Sequence, residues 1–203
     1  MAIGAITLRQ MTTADVGRLP IGCQGEPDEV RQRIAELGSS AILAFDGAQH
    51  VAQLQFRAYV AGRRSPKGVH HPLYWADFGD RAPALPERTL AVFCYHVGQL
   101  DDTQARDARY QGQGLGARLL DRLLDWAALN GFAAVVAKAA PPDRAVMAFM
   151  GAQPPAVYEA RGFTVAASWV DPELRAWIAE ERIVPPGSDL DAAARVACCV
   201  RHL

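Results

Sequence analysis

The sequence predicts a mixed α/β (α+β) fold in a single domain that covers residues 1–203, and three observations support this prediction. Two β-rich runs at 40–45 and 51–57 flank an Asp-Gly dipeptide that is typical of a tight hairpin turn, so they predict an antiparallel pair. A strand, a glycine loop, an amphipathic helix and another strand follow one another within 89–139. No linker, repeat or low-complexity tract divides the chain.

The N-terminal part begins with a strand and leads to a helix. Residues 5–10 alternate in strand fashion, and hydroxyl and carboxylate groups at 12–15 suit the cap of a following helix. The run 26–29 places a proline and acidic residues in a first helical turn, and apolar residues with helical spacing follow it. This pattern predicts a helix that ends at Gly38.

The middle of the chain contains the best candidate for a central strand. Between 59 and 87 the periodicity is lost and glycine and proline are frequent, so we interpret this segment as a long connection. The apolar run 89–98 predicts the central strand, and the charged residues 99–109 follow as a loop. Leucines on one face predict a helix over 114–130, and a buried strand is predicted over 132–139.

The last part of the chain contains shorter elements. Prolines bracket an irregular stretch at 141–155, and a short helix near 156–161 leads into a strand over 163–169. An Asp-Pro pair at 171–172 predicts the start of a last helix, and 195–201 resembles a closing strand.

Composition excludes two classes of partner. Half of the 203 residues are hydrophobic, which is enough for one sizeable core, and the formal net charge is −1. That charge provides no field to hold a polyanion, so no nucleic acid partner is expected. No apolar run approaches the roughly 18 residues needed to cross a bilayer, and the first residues lack signal-peptide features. We therefore expect a cytoplasmic protein with no membrane partner.

The sequence predicts no metal site. Its four cysteines are Cys23, Cys94, Cys198 and Cys199. Because no C-x-x-C pair occurs among them, we interpret them as small buried side chains. Cys198 and Cys199 would point to opposite faces of a strand, and adjacent His70 and His71 lack further ligands at suitable spacing.

The glycine loop Gln111-Gly112-Gln113-Gly114-Leu115-Gly116 has the strongest chemical implication. Three glycines at the start of an amphipathic helix allow bare backbone N–H groups to converge on an anion, where a Cβ would block the approach. The loop therefore predicts a phosphate site. The alternative without a ligand is a flexible glycine turn that enters a helix.

The same loop also matches the dinucleotide fingerprint G-x-G-x-x-A through Gly112, Gly114 and Ala117. A nicotinamide site would follow a first strand and would have an acidic residue at the end of the second strand. Here the next strand ends at Lys138 without an acid, and an antiparallel hairpin precedes the loop. No Gly-Lys-Ser/Thr follows, so a P-loop is disfavoured as well.

The glycine loop resembles the Q/R-x-x-G-x-G/A signature of the GNAT superfamily of N-acetyltransferases, with Gln111, Gly114 and Gly116 at the specified positions. Downstream, the run from Tyr158 to Phe163 is similar to the Y-x-x-x-G-F segment of that family. The resemblance implies a mixed, mostly antiparallel sheet of about six to seven strands flanked by helices, with a V-shaped cofactor cleft. It also implies direct transfer of an acetyl group from acetyl-CoA to a primary amine, which we expect to belong to a small molecule.

By the same resemblance, the pyrophosphate of acetyl-CoA lies on the glycine loop and the pantetheine arm lies along the strand before it. The cofactor-binding residues so implied are Val97, Gln111, Gly112, Gln113, Gly114, Leu115 and Gly116.

Two residues are predicted to be catalytic. Tyr158 occupies the position of a tyrosine that often protonates the departing thiolate in the family, although a packing role is the alternative. Family members often place a glutamate on the strand before the loop, but 89–98 contains no carboxylate. His96 is the only side chain there whose ordinary pKa is near neutral, so it is the candidate base, with another residue or water as alternatives.

The missing carboxylate leaves a second hypothesis open, which is a non-catalytic module that binds or senses acyl-CoA. The basic residues of 59–87 and the charged loop 99–109 either border the acceptor site or form solvated surface. Many relatives form dimers, so a homodimer is compatible with the resemblance, but the sequence identifies no interface.

Overall fold

The computed structural model describes residues 5–19, 25–62, 78–100 and 105–203. Its strands are β1 (Ile6–Gln10), β2 (Ala41–Asp46), β3 (Gln49–Ala58), β4 (Thr89–Val97), β5 (Ala134–Ala139), β6 (Thr164–Val170) and β7 (Arg195–His202). Its α-helices are α1 (Pro27–Leu37), α2 (Leu115–Leu129), α3 (Arg144–Met150), α4 (Pro155–Glu159), α5 (Pro172–Glu180) and α6 (Leu190–Ala193). Short 3-10 turns occur at Thr13–Asp15, Gly79–Arg81 and Ala108–Tyr110.

The seven strands form one sheet in the order β1-β2-β3-β4-β5-β7-β6. All neighbouring strands run antiparallel except β4 and β5, which are parallel. The β4–β5 pairing begins at Thr89 with Ala134 and ends at Val92 with Ala137, although β4 continues to Val97. The two strands therefore separate beyond Val92, and this opens the predicted V-shaped cleft. The predicted mixed, mostly antiparallel sheet with flanking helices is confirmed.

Local sequence signals explain several of these elements. Asp46 pairs with Gln49 across the predicted hairpin, and Gly47 adopts a φ of +59° in the turn. Helix α1 ends at Gly38, whose φ of +89° is the left-handed conformation that glycine adopts most easily.

Helix α2 packs on one face of the sheet. Its leucines Leu119, Leu120 and Leu123 are fully buried and share a core with Leu54 and Phe56 of β3. Full burial of such a side chain stabilises the fold by roughly 1.5–3 kcal/mol. This core fixes the position of the helix that begins at the glycine loop.

Helix α1 packs on the opposite face of the sheet. Leu43 of β2 joins Val30 and Ile34 of α1 in a separate core, whereas its neighbours Ile42 and Ala44 belong to the core under α2. Because consecutive strand residues point to opposite faces, the two helices lie on opposite sides of the sheet.

Two helices were not predicted from the sequence. Helix α3 begins within the stretch interpreted as irregular, where the Asp143 side chain accepts the N–H of Val146 at 3.0 Å and Gly151 ends the helix with a φ of +59°. The single turn α6 is capped in the same way by Asp189. In contrast, the caps at 12–15 precede only a 3-10 turn.

Cys94, Cys198 and Cys199 are buried and free, and the last two belong to cores on opposite faces of the sheet. The remaining cysteine lies outside the described residues, as do several basic and acidic residues of the two predicted loops. Those residues are Cys23, Arg63, Arg64, Lys67, His70, His71, Asp101 and Asp102. Within the described ranges, no helix is long and apolar enough to cross a membrane and no group of three side chains is suited to a metal ion.

Candidate active site

A cleft of about 640 Å³ opens where β4 and β5 separate. Tyr95 and Val97 at the end of β4 form one wall, and the glycine loop with the first turn of α2 forms another. Helix α3 and the residues that follow it, up to Gln153, close the third side. The cleft therefore lies at the point where the parallel pairing ends.

The glycines of the loop serve two different purposes. Gly112 and Gly114 have φ values of +70° and +69°, and a Cβ added to either would meet no atom within 4 Å, so backbone conformation is what requires glycine there. A Cβ on Gly116 would lie only 2.6 Å from Nε2 of Gln153. Gly116 thus leaves room for the Gln153 side chain, and because it also lines the cleft, its part in clearing space for an anion stays a prediction.

The first turn of α2 presents unpaired backbone donors to the cleft. Gly114 is the N-cap and has no side chain to satisfy them, and the first helical bond runs from the N–H of Arg118 to the Gly114 oxygen at 3.0 Å. The N–H groups of residues 115–117 therefore have no partner within the helix. Together with the helix dipole, these donors favour an anionic ligand. The Leu115 side chain is buried in the core, so this residue can contribute only its backbone.

Two arginines add positive charge to the same cleft. Arg106 and Arg144 both line it, and Arg144 donates a 2.8 Å hydrogen bond to Oε1 of Gln111. This bond joins the glycine loop to the start of α3. Gln113 is exposed and is not among the residues that line the cleft, so of the predicted loop residues it is the one that the structure does not bring there.

Val97 directs its main chain toward the cleft. The N–H of Gly98 bonds to the Val51 oxygen on β3 at 2.7 Å, so the alternation of an antiparallel ladder turns the N–H and C=O of Val97 away from β3. The N–H of Tyr95 also points this way, but it already donates to the Gly151 oxygen at 2.7 Å. Val97 is therefore the β4 residue whose amide is available to a ligand.

Tyr158 lies beneath the wall of the cleft. Its side chain is 1% exposed and packs edge-on against Phe163, while its neighbour Val157 lines the cleft. Burial raises the pKa of Tyr158 well above its usual value, and interactions with the Tyr95 hydroxyl and the Gln153 backbone only partly oppose this. Tyr158 therefore keeps its proton at neutral pH.

Tyr95 lines the cleft and is a close neighbour of Tyr158. Burial raises its pKa strongly, and the neighbouring Tyr158 phenol raises it further. The Tyr95 hydroxyl has no partner that meets hydrogen-bond geometry, although the Tyr158 phenol is near enough to affect it. Sequence reasoning missed Tyr95 because nothing in an apolar strand distinguishes a tyrosine near a ligand from one in the core.

His96 lies on the other face of β4 and does not line the cleft. It is buried, with 6% exposure, and its Nε2 lies 3.1 Å from the Cys94 sulfur. Its Nδ1 has no hydrogen-bond partner. The two residues predicted to be catalytic, Tyr158 and His96, are therefore held on opposite sides of β4.

Comparison with known proteins identifies the fold and the family resemblance. Residues 74–153 match the model of the acetyltransferase (GNAT) family, and this segment contains β4, the glycine loop, α2, β5 and α3. The resemblance to GNAT acetyltransferases is confirmed. Tyr158 lies beyond the matched segment, whereas His96 lies within it. No curated protein sequence matches the chain significantly.

Solved structures show that the chain has the GNAT fold. The yncA protein of Salmonella typhimurium, solved with its cofactor acetyl-CoA, is 17% identical at a TM-score of 0.54, with 98% of this chain and 94% of that chain covered. A GNAT-family acetyltransferase from Streptococcus pneumoniae is 15% identical at a TM-score of 0.54, with coverages of 98% and 99%. An IAA acetyltransferase from Bacillus cereus is 11% identical at a TM-score of 0.53, with coverages of 98% and 100%.

The GNAT fold does not bring a carboxylate onto β4 of this chain, whose sequence Thr89–Val97 contains none. Among the described residues, the buried carboxylates are Asp15 and Asp171, and each is paired with a cation, Arg9 and Lys138 respectively. Neither of these two buried carboxylates is therefore free to act as the base, and His96 remains the predicted base.

Proposed function

We propose that the protein is an acetyl-CoA-dependent N-acetyltransferase that transfers the acetyl group directly to a primary amine of a small molecule. The observation that carries this proposal is the convergence of two sets of free backbone groups on one cleft. The N–H groups of residues 115–117 and the main chain of Val97 both border it. A helix N-terminus suits a pyrophosphate, and an unpaired strand edge suits the amides of a pantetheine arm.

The described residues fit this ligand. The free amides of α2 would hold the pyrophosphate, and Arg106 and Arg144 would add charge-assisted contacts to phosphate oxygens. When bound, acetyl-CoA supplies an activated acetyl group as a thioester. The amide of Val97 would hold the pantetheine end of the molecule in the part of the cleft where β4 and β5 separate.

His96 is proposed as the general base, because an alkylammonium group has no lone pair with which to attack. If Nε2 carries the imidazole proton and donates it to the Cys94 sulfur, Nδ1 is left with its lone pair. Nδ1 is also the ring atom without a partner in the protein. In that tautomer, Nδ1 is the ring atom that accepts the proton of the ammonium group.

Tyr158 is proposed as the proton donor to the departing thiolate. Its raised pKa keeps the phenol protonated, which a general acid requires. Because Tyr158 is buried, Tyr95 would pass the proton between Tyr158 and the cleft. The two tyrosines would then act as one donor.

The experiment combines turnover with binding. With at least one class of amine in a panel, thiol release from acetyl-CoA should be faster than in a control without protein. Isothermal titration calorimetry should also detect the heat of coenzyme A binding to the protein. Gly114→Val should abolish that binding, because a β-branched residue is strained at the φ of +69° that the N-cap requires and would shift the loop that presents the free amides. Gly187→Val is the matched control, since Gly187 has a φ of +84° and equally open surroundings but lies outside the cleft. Binding that survives Gly114→Val would contradict the proposed site.

A second candidate is a non-catalytic module that binds or senses acyl-CoA. The absence of a carboxylate from β4 favours it. Tight binding of acetyl-CoA without an acetylated product from any amine would support this module and would reject the transferase.

A further inference from the structure

The face of the sheet opposite α2 carries buried polar side chains along β3 and β4. Gln53 pairs directly with His96, and Gln55 pairs with Cys94, so these four side chains project from the same face. The contact between Cys94 and His96 confirms that they share it. Polar side chains thus follow the strands at the level where β4 separates from β5.

On this face, buried polar atoms of His50, Gln55 and His96 lack hydrogen-bond partners. By hydrogen-bond geometry, both ring nitrogens of His50, both amide atoms of Gln55 and Nδ1 of His96 lack a partner, although the Ala52 backbone is near enough to His50 to oppose the lowering of its pKa. Their side chains are nevertheless removed from solvent, with exposures of 4%, 0% and 6%. We name these three residues the polar strip.

Buried polar groups without partners are rare in native proteins, because they lose hydrogen bonds to water and gain nothing in return. A core position on a strand would ordinarily hold an apolar side chain, as Leu54 and Phe56 do on the other face. Three such groups on adjacent strands therefore indicate a place where a ligand supplies the missing partners.

Two members of the polar strip, Gln55 and His50, are uncharged at neutral pH. Gln55 has a neutral amide, and burial lowers the pKa of His50 to about 4, with the neighbouring His96 lowering it further. A carboxamide offers one set of donors and one acceptor, which a neutral group with both kinds of atom complements best. The strip therefore suits neutral hydrogen-bonding groups better than hydrocarbon or an ionic group.

We infer that the polar strip binds the body of the acceptor, and that the acceptor is an amine that carries a neutral carboxamide or hydroxyl group. This inference rests on the proposed function, because it uses His96 as the base. His96 belongs to the strip, whereas Tyr95 and Val97, its neighbours along β4, line the cleft on the other side of the strand. An amine at Nδ1 of His96 would thus lie across β4 from the acetyl donor, beside the gap beyond Val92.

The test compares three amines of similar shape: β-alaninamide, isopentylamine and β-alanine. The wild-type protein should acetylate β-alaninamide with the highest kcat/KM, since a site built to hydrogen-bond a polar group rejects analogues that lack it. Gln55→Met removes the amide and keeps the length of the side chain. It should lower kcat/KM for β-alaninamide about a hundredfold and leave the value for isopentylamine nearly unchanged.

Two controls separate a binding role from a structural one. Gln49→Met alters an exposed glutamine of the same strand and should leave the preference unchanged. The Tm of Gln55→Met should equal or exceed that of the wild type, because the variant removes a buried amide that has no partner. A lower Tm together with an unchanged preference among the amines would overturn the inference.

Calorimetry with coenzyme A present distinguishes the failure of this inference from the failure of the proposed function. Selective binding of β-alaninamide that Gln55→Met abolishes would support the strip even if no acetyl transfer occurs, and only the transferase would then be rejected. Acetyl transfer without any preference for the amide would reject the strip and keep the transferase.

Discussion

The two sides of β4 offer different chemical groups to the ligands that we propose. On the side of α2, the cleft offers mainly backbone groups, which are the free amides at 115–117 and the main chain of Val97. On the opposite side, the polar strip offers side chains, and these are buried without partners. Backbone groups suit a ligand that is the same throughout a family, whereas side chains can change from one protein to the next without altering the fold.

This difference also affects stability. Unpaired N–H groups at a helix start are exposed to water in the free protein, so they cost little. Buried groups such as the Gln55 amide have no hydrogen-bond partner in the protein, and each such group destabilises the free protein by about 1–3 kcal/mol. The proposed acceptor side is therefore the part of the molecule where we expect stability and function to conflict most.

The largest expected effect comes from the strip side. His96→Gln should lower kcat by about a hundredfold to ten-thousandfold with little change in the affinity for coenzyme A, because it removes the proposed base and leaves the cleft intact. Steady-state kinetics and calorimetry together check this. His202→Gln, at an exposed histidine of β7, serves as the control. A normal kcat in His96→Gln would assign proton removal to water or another residue.

A buried ion pair whose members are hydrogen-bonded should respond to substitution in the opposite way to the polar strip, because removing one member should destabilise the fold. Lys138 and Asp171 form an ion pair with both side chains about 10% exposed. Lys138→Met leaves the buried Asp171 carboxylate without a cation. It should lower the free energy of unfolding by about 3–5 kcal/mol, as measured by denaturation at pH 7. A loss below about 1 kcal/mol would show that the pair does not stabilise the fold. The two variants Lys138→Met and Gln55→Met would then not differ in their effect on stability as expected.

The pH dependence of the same variant sharpens the contrast. Burial tends to raise the pKa of Asp171, but Lys138 and the backbone N–H groups of Leu174 and Glu173 outweigh it, and the pKa is lowered. The pair therefore stabilises the fold above the unfolded-state pKa of about 4, and this stability is lost as the pH falls through the lower, folded-state value. The difference in stability between wild type and Lys138→Met should narrow over that range.

The sequence predicts best what depends on neighbouring residues. The hairpin turn at Gly47, the end of α1 at Gly38 and the start of α2 after Gly114 all follow from local backbone chemistry, and the structure has each of them. The leucine face of α2 follows from helical periodicity in the same way. These features are encoded within a few residues, so no tertiary information is needed.

What the sequence does not reveal depends on distant contacts. The hydrogen bond from Arg144 to Gln111 joins residues 33 positions apart and requires α3. The prolines on either side of this helix lead to the prediction of an irregular segment there. The alternation of Gln55 with Leu54 and Phe56 would normally indicate a strand with one solvated face. Burial of the glutamine depends on what packs over the sheet, and a single strand carries no information about that.

The smallest of these effects concerns the proton donor on the cleft side. Tyr158→Phe should lower kcat about a hundredfold if the phenol is the general acid, with little change in KM for acetyl-CoA. Tyr95→Phe should lower kcat to a similar extent, because the proposed path runs from Tyr158 through the Tyr95 hydroxyl to the cleft. Steady-state kinetics of both single variants and of the double variant measure this.

The double variant decides whether the two tyrosines act as one donor. If they do, Tyr95→Phe combined with Tyr158→Phe should be no slower than either single variant, since the second change removes nothing that still functions. Multiplied effects would mean that each hydroxyl acts independently. Unchanged rates in all three variants would leave Tyr158 as a packing residue beside Phe163, and the cleft side of β4 would then only bind and orient the donor while the chemistry depends on the strip side.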